Sequence, residues 1–280
     1  MLGNKMQQPI SSGQTRRGMF TIFCLTVFSS MVWAHERVIS LAPHTTELVY
    51  ALGAEDKLVA VSDYSNFPKD ALLLPSVANH NGVDFEKIMR LRPDLILAWQ
   101  GGNKPQDLAR LKSLGYKIYH SNPITPADIS SDLRQLGKLL GKADKGVKIA
   151  DAFSSELENI KTQYQSEKKI AVFYYMWPRP LMTIGGTAWA NQLLNICGAR
   201  NIFHNAPTPY PEVNMEQVIR RKPQKIIAAI HTSLSDADTF WRSQAGKMPI
   251  DLMVVNPDQL HRFTPRLTSG LKNLCQQLHK

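Results

Sequence analysis

The segment Glu86-Lys-Ile-Met-Arg-Leu-Arg-Pro93, which continues into Asp94-Leu-Ile-Leu-Ala98, is repeated 130 positions later by Glu216-Gln-Val-Ile-Arg-Arg-Lys-Pro223, which continues into Gln224-Lys-Ile-Ile-Ala228. Each copy predicts a short helix, a stop at the proline and a buried apolar strand. Glu, Pro and the apolar run keep the same spacing in both copies, so we infer two similarly built lobes with a cleft between them. Two ordinary helix–strand units within one α/β protein are the alternative.

The first 34 residues have the pattern of a secretory signal peptide. Basic residues (Lys5, Arg16, Arg17) precede an apolar run at positions 19–28, and Val32-Trp33-Ala34 then offers a cleavage site. The sequence therefore predicts an exported protein whose mature chain begins at His35. An uncleaved membrane anchor is the alternative. The net charge of +10 comes without any basic run, so we do not expect a nucleic-acid-binding protein.

Three cysteines are present, and Cys24 lies within the predicted signal peptide. Cys197 and Cys275 remain, an even number in an oxidising compartment, which favours a disulfide bond between them. Such a bond would close a loop of almost eighty residues and would stabilise the fold by roughly 4 kcal/mol. Two buried free thiols are the alternative, and a metal site is disfavoured because a third ligand is missing.

Strands alternate with helices on both sides of a long central segment, which is typical of parallel βα units. In that segment apolar residues recur at helical spacing, at Val147, Phe153, Leu157 and Ile160, and predict one long helix. The sequence thus predicts an α/β fold of two Rossmann-like lobes with parallel sheets joined by this helix. The N-terminal lobe is placed at residues 35–141, the linking helix at 142–167 and the C-terminal lobe at 168–280.

Ligands of such sheets bind outside the carboxyl ends of the strands. Aromatic rings and amide-type side chains are frequent there, which suits a large, flat, mostly uncharged ligand. A nucleophile elbow and tight metal-ligand spacings are missing from the sequence, so we do not expect an enzyme. The strand-end residues and two neighbouring loops are Pro43-His44, Asp63-Tyr64, Trp99-Gln-Gly-Gly102, Tyr175-Met-Trp177, His231, 256–262, 79–81 and 209–211.

Glu86 and Glu216 occupy matched positions at the start of their helices. A carboxylate there is stabilised by the helix dipole by about 0.3–1 kcal/mol, and this effect alone accounts for both residues. The alternative, which we favour, is that the two carboxylates form ion pairs with basic residues of a two-fold symmetric partner.

Several motifs resemble a known family. They are Arg37-Val-Ile-Ser-Leu-Ala-Pro43, Asp63-Tyr-Ser-Asn-Phe-Pro68, Ala98-Trp-Gln-Gly-Gly-Asn103, Asn191-Gln-Leu-Leu-Asn-Ile-Cys-Gly198 and Tyr210-Pro-Glu-Val-Asn-Met-Glu-Gln-Val218. Together they look like the cobalamin (vitamin B12)-binding branch of the periplasmic binding proteins of class III, the helical-backbone type. The resemblance covers essentially the whole mature chain, and the stretch from Ala98 to Asn103 is its most specific part.

The resemblance implies a monomeric periplasmic protein that captures cobalamin as transported ligand, needs no cofactor and docks onto the permease subunits of an ABC importer. It implies that Glu86 and Glu216 are the docking carboxylates and that Cys197 and Cys275 form the family's disulfide. The residues it implies at the ligand are Tyr64, His80, Trp99, Met182, Tyr210, Asp258, Gln259, Leu260, His261 and Arg262.

The sequence departs from the family pattern at three aromatic positions. His80 and Tyr210 stand where the family has Trp, and Met182 stands where it has Phe. Each lost stacking contact would weaken binding by about 1 kcal/mol. His80 or His44 is instead a candidate ligand to cobalt, because imidazole binds such metals well. Binding of haem or a ferric siderophore is the alternative within this fold, and a periplasmic chelatase-like enzyme is a third hypothesis.

Overall fold

The structure is a computed structural model that describes residues 1–3, 35–245 and 251–280. The predicted signal peptide therefore lies almost entirely outside the described residues. None of the helices in the described part combines the length and the apolar character that a membrane span requires.

The first half of the chain builds a sheet of six strands with the order β4-β3-β2-β1-β5-β6. All neighbours in it are parallel except the β3–β4 hairpin. Its strands are β1 (Val38–Ser40), β2 (Leu58–Ser62), β3 (Ser76–Asn79), β4 (Gly82–Val83), β5 (Leu95–Trp99) and β6 (Ile118–Ser121).

Helices connect these strands and follow them. They are α1 (Pro43–Leu52), α2 (Phe85–Leu91), α3 (Pro105–Ser113) and α4 (Asp128–Leu139), with 3₁₀ turns at Glu55–Lys57 and Lys69–Leu73. Helix α1 begins with Pro43 at its first position, where the missing N–H costs nothing. It ends at Gly53, whose φ of 64° is the left-handed conformation that glycine adopts easily.

The second half builds a sheet of five strands, in which β9 pairs with β7 beside the order β11-β10-β7-β8. Its strands are β7 (Ile170–Pro178), β8 (Leu181–Thr183), β9 (Ala199–Asn201), β10 (Lys225–Ala228) and β11 (Leu252–Val254). Only the β7–β8 pair is antiparallel. The parallel order β9-β7-β10-β11 matches β2-β1-β5-β6 of the first sheet, so the two lobes repeat one topology.

The helices after β6 complete the fold. Helix α5 (Ala143–Tyr164) leads from the first sheet to the second, and the later helices are α6 (Trp189–Ile196), α7 (Met215–Arg221), α8 (Leu234–Ala245), α9 (Pro257–Leu260) and α10 (Leu267–Leu278). The α/β fold with two parallel-dominated sheets and a long helix between them is confirmed.

The repeated sequence segments form two closely similar helices, α2 and α7. Helices α2 and α7 each have seven residues and a side-chain N-cap, Asp84 in the first and Asn214 in the second. Each buries one residue completely, Ile88 and Val218, at matched positions.

Both helices also end in the same unusual way. Arg92 (φ 47°) and Lys222 (φ 46°) adopt the left-handed conformation although neither is a glycine. Each precedes a proline, and a residue before proline is disfavoured in the right-handed helical region. The proline stop in the sequence therefore explains where both helices end.

Helix α5 buries the side of its surface that the apolar spacing indicated, with Ala150, Phe153 and Ile160 shielded from solvent. These residues belong to one hydrophobic cluster that also contains core residues of both sheets, such as Val38 and Val172. Two further clusters cover the other faces of the two sheets. The lobes thus share a continuous core through α5, which holds their relative position.

Candidate functional site

A cleft of about 770 Å³ lies at the carboxyl ends of strands from both sheets. Its position is the one at which parallel α/β sheets bind ligands, because loops after several strands converge there. The residues that line it are Pro43, Tyr64, Met176, Trp177, Pro178, Arg179, Ala229, Ile230, His231, Pro257, Asp258, His261 and Arg262. Most of these positions were selected from the sequence because they follow a predicted strand.

Tyr64 projects into the cleft from the first lobe, with 76% of its surface exposed. Its φ of 64° places a bulky residue in the left-handed region, which costs about 1–2 kcal/mol. Arg262 of the second lobe donates from Nη2 to the carbonyl oxygen of Tyr64 over 3.2 Å. Asn66 N donates to the same carbonyl oxygen over 2.9 Å. These two hydrogen bonds hold Tyr64 in its strained conformation.

Trp177 lines the cleft from the second lobe and is 58% exposed. Its indole Nε1 donates to the carbonyl oxygen of Arg179 over 2.9 Å, which fixes the ring on the β7–β8 hairpin. The sequence placed Trp177 at a strand end, but the family resemblance did not include it among the ligand residues. Two exposed rings from different lobes, Tyr64 and Trp177, thus share one cleft.

The predicted polar segment around residue 258 is a short helix, α9, and the turn that follows it. Asp258 and His261 line the cleft, whereas Leu260 is buried in the core and Gln259 lies against Gly270 of α10. The Nε2 atom of His261 lies 2.7 Å from the hydroxyl of Tyr174. Burial lowers the pKa of His261 to about 4, so this imidazole is neutral at neutral pH.

Arg262 is already engaged by protein groups. Its Nη1 donates to Glu47 Oε1 and to Asn66 Oδ1, both over 2.8 Å, and its Nη2 lies 3.2 Å from Asp258 Oδ1. The guanidinium therefore lines the cleft while it bridges the lobes, and it is not a free cation for an anionic ligand.

Trp99 packs at the junction of the lobes. Its ring centroid lies 5.6 Å from that of Phe263 in the second lobe, at 64° between the planes. The ring also covers the turn after β5, where a Cβ on Gly102 would overlap it. Asn103 closes this turn by accepting from Trp99 N (2.7 Å) and donating to Leu41 O (2.9 Å). The Trp-Gln-Gly-Gly-Asn motif thus builds a ring-covered turn beside the cleft.

His44 is buried behind this ring, with 3% of its surface exposed. Its Nε2 lies 2.9 Å from Ser121 Oγ, which donates to Asp132 Oδ2 over 2.5 Å. Burial, and secondarily the positive charge of Arg262, lower the pKa of His44 to about 3. Burial also raises the pKa of Asp132. His44 is therefore a neutral core residue with its Nε2 occupied.

Three other predicted ligand residues lie outside the described lining of the cleft. His80 is exposed in the β3–β4 turn, Met182 lies on β8 opposite Trp177, and Tyr210 is half-exposed in the loop before α7. Like Trp99, none of them is among the described residues that line the cleft, so their contact with a ligand stays a prediction.

Glu86 and Glu216 both lie in the first turn of their helices and are exposed. Glu86 makes a loose i,i+4 contact with Arg90 at 3.9 Å. Because α2 and α7 are matched elements of the two lobes, the carboxylates occupy equivalent places. Their docking role stays a prediction.

Cys197 and Cys275 form a disulfide bond with a Cα–Cα distance of 4.8 Å. Cys197 caps the end of α6 and Cys275 lies in α10, and both are fully buried. The bond therefore ties the last helix to the beginning of the second lobe.

Comparison with known proteins places the chain in a family. The family model for periplasmic binding proteins matches residues 38–247. A relative from Vibrio parahaemolyticus serotype O3:K6 (strain RIMD 2210633), named vitamin B12-binding protein, is 39% identical over 256 residues, which cover 89% of this chain and 92% of the relative.

Solved structures agree with this result. The crystal structure of the periplasmic vitamin B12 binding protein BtuF of Vibrio cholerae matches with a TM-score of 0.81 and 38% identity, over 88% of this chain and 97% of that one. A periplasmic heme binding protein from Pseudomonas aeruginosa matches with a TM-score of 0.75 at 23% identity, over 87% and 92% of the two chains, and shares the fold. The chain therefore belongs to the periplasmic binding protein family.

Proposed function

We propose that this protein captures vitamin B12 (cobalamin) in the periplasm and delivers it to an ABC importer in the inner membrane. The observation that carries this proposal is the cleft between the lobes, about 770 Å³ in volume and lined by the exposed rings of Tyr64 and Trp177. Relatives at about 39% identity over most of their length carry the name vitamin B12-binding protein.

Binding is non-covalent in this proposal. The rings of Tyr64 and Trp177 pack on the corrin, and such aromatic contacts contribute about 0.5–1.5 kcal/mol each beyond the area they bury. Asp258, which lines the cleft from the second lobe, presents its carboxylate to the amides at the corrin edge. The ion pair between Arg262 and Glu47 acts as a clamp between the lobes and keeps the two walls of the cleft at a fixed spacing. Little rearrangement of the protein is therefore needed on binding.

Delivery requires contact with the permease. We propose that Glu86 and Glu216, one on each lobe, pair with basic residues of the two permease subunits, and that the protein acts as a monomer without cofactor, catalysis or nucleic acid. Export to the periplasm would follow from the predicted signal peptide. The lobes of this proposal span residues 35–141 and 168–280, with the linking helix between them.

Haem is the second candidate ligand. It is supported by the fold shared with the heme binding protein from Pseudomonas aeruginosa. Haem carries two carboxylates, however, and of the two arginines in the described lining, Arg179 and Arg262, the second is held by Glu47 and Asp258. This engagement favours the largely uncharged corrinoid.

A binding competition distinguishes the candidate ligands. Protein purified from the periplasm is mixed with equal concentrations of cyanocobalamin, haem and a ferric siderophore, and the visible spectrum of the protein fraction is recorded after gel filtration. We expect cyanocobalamin at one molecule per protein. Elution with haem or the siderophore, and without cyanocobalamin, would overturn the proposal.

A further inference from the structure

His231 is the more exposed of the two histidines that line the cleft. It follows the carboxyl end of β10, and 70% of its side chain is exposed. The segment that carries it is anchored because Ala229 N donates to Tyr175 O over 3.0 Å. An imidazole on a fixed backbone therefore faces the space that a ligand would fill.

A carboxylate lies beside this imidazole. Asp258 Oδ1 lies 3.4 Å from His231 Nε2, and Arg262 holds the same oxygen at 3.2 Å. A carboxylate beside Nε2 favours the tautomer with its proton there and leaves the lone pair on Nδ1. Histidines that bind metals commonly have this arrangement, in which the second ring nitrogen faces a carboxylate.

Three other histidines are placed less favourably for binding cobalt. His44 is buried and its Nε2 is bonded to Ser121. His261 has its Nε2 at 2.7 Å from the hydroxyl of Tyr174. His80 lies in the exposed β3–β4 turn, outside the described lining of the cleft.

We propose that Nδ1 of His231 binds the metal of the transported corrinoid at an axial position, so that the cleft prefers corrinoids whose axial ligand is exchangeable. In this step the bond from cobalt(III) to water breaks, the imidazole nitrogen donates its lone pair to cobalt, and the water leaves. The oxidation state of cobalt does not change. The inference rests on the proposed function and adds a selectivity among corrinoids to it.

The test compares two corrinoids that differ in this position. Aquocobalamin carries a water that imidazole can replace, whereas cyanocobalamin carries a tightly held cyanide. We expect the visible spectrum of bound aquocobalamin to match that of aquocobalamin mixed with excess free imidazole, and His231→Ala to abolish the match. His231→Ala should weaken aquocobalamin binding at least tenfold more than it weakens cyanocobalamin binding.

Two further variants provide a control and test the role of the neighbouring carboxylate. His120→Ala removes an exposed imidazole on β6, outside the described lining, and should leave spectrum and affinity unchanged. Asp258→Asn, which alters the positioning residue, should weaken aquocobalamin binding by about 10- to 100-fold.

Two results would overturn the inference while cyanocobalamin still binds: an unshifted spectrum of bound aquocobalamin, or an imidazole-type spectrum that persists in His231→Ala and disappears in His80→Ala. Failure to bind cyanocobalamin at all would overturn the proposed function, and the axial role with it.

Discussion

Arg262 places its Nη1 atom 2.8 Å from Oε1 of Glu47, a residue 215 positions earlier in the sequence and in the other lobe. Arg266 reaches the same carboxylate with Nη2 at 2.6 Å and Nε at 2.8 Å. The side chain of Glu47 is almost fully buried, so water cannot solvate its negative charge. The two guanidinium groups stabilise that charge instead. This cluster joins helix α1 to the segment between α9 and α10 directly beside the cleft.

Glu47→Gln should strongly destabilise the protein, because it leaves two guanidinium groups beside a neutral amide. Removing one partner of a buried ion pair costs about 3–5 kcal/mol, and we expect about 3 kcal/mol here because Arg262 keeps Asp258. Urea denaturation at pH 7 measures the loss. The matched control is Glu156→Gln, which removes the surface contact with Lys272 (3.6 Å) and should cost less than about 1 kcal/mol. Equal losses in both variants would contradict the role of the clamp.

The stability of the protein should fall as the pH is lowered below 6.5. The folded state holds the pKa of His44 at about 3, below the ordinary 6.5. Between these values the unfolded chain takes up a proton that the folded protein does not bind, so acid favours unfolding. Above pH 6.5 the imidazole is neutral in both states and this loss disappears.

His44→Gln isolates this contribution, since the amide can still bond to Ser121 but does not titrate. We expect its melting temperature to fall less than that of the wild type between pH 7 and pH 4. The remaining fall contains the contribution of His261, whose pKa is lowered to about 4. An identical pH profile in wild type and variant would contradict the prediction.

Gly102→Ala should destabilise the turn beside the cleft, because the added Cβ would overlap the Trp99 ring. Overpacking of this kind costs about 1–3 kcal/mol. In a Trp99→Leu background the ring is absent, and the same substitution should cost much less. A double-mutant cycle measured by urea denaturation gives the coupling. Additive losses would show that the ring is not the cause.

Removal of the disulfide should weaken the fold without changing the cleft. The bond between Cys197 and Cys275 closes a loop of 78 positions, which corresponds to about 4 kcal/mol in the chain-entropy model. We expect the double variant Cys197→Ala, Cys275→Ala to unfold at lower urea concentration than the oxidised wild type. A reducing agent should destabilise the wild type and leave the variant unaffected. Equal sensitivity to the reducing agent would contradict the prediction.

The sequence predicted the features that depend on local pattern. Apolar runs and proline stops predicted the strands and helices of both lobes, and the rule that ligands bind at strand ends selected Tyr64 and His231 for the cleft. The clamp between Arg262 and Glu47 could not be predicted, because no local pattern pairs residues 215 positions apart. The burial of His44 and Leu260 was likewise missed, since helix and strand packing decides which side of a loop faces the core. The β7–β8 hairpin, which carries Trp177 and Arg179 into the cleft, was not predicted, because its second strand has only three residues.

Reversal of both docking carboxylates is the most direct test of delivery. Glu86 and Glu216 are exposed at matched helix starts, so Glu86→Lys with Glu216→Lys should leave the fold and cyanocobalamin binding intact while it introduces like-charge repulsion against a basic permease surface. We expect vitamin B12 uptake by cells that carry the double variant to fall at least tenfold, and each single variant to lose less. The control reverses two exposed glutamates elsewhere, Glu55→Lys in the first lobe with Glu167→Lys at the end of the linking segment. It changes the net charge equally and should preserve uptake. Uptake that survives in the first pair, or falls equally in both pairs, would mean that net charge or another surface governs docking. Loss of uptake only in the first pair would place the permease on the two equivalent helices that the repeated segments build.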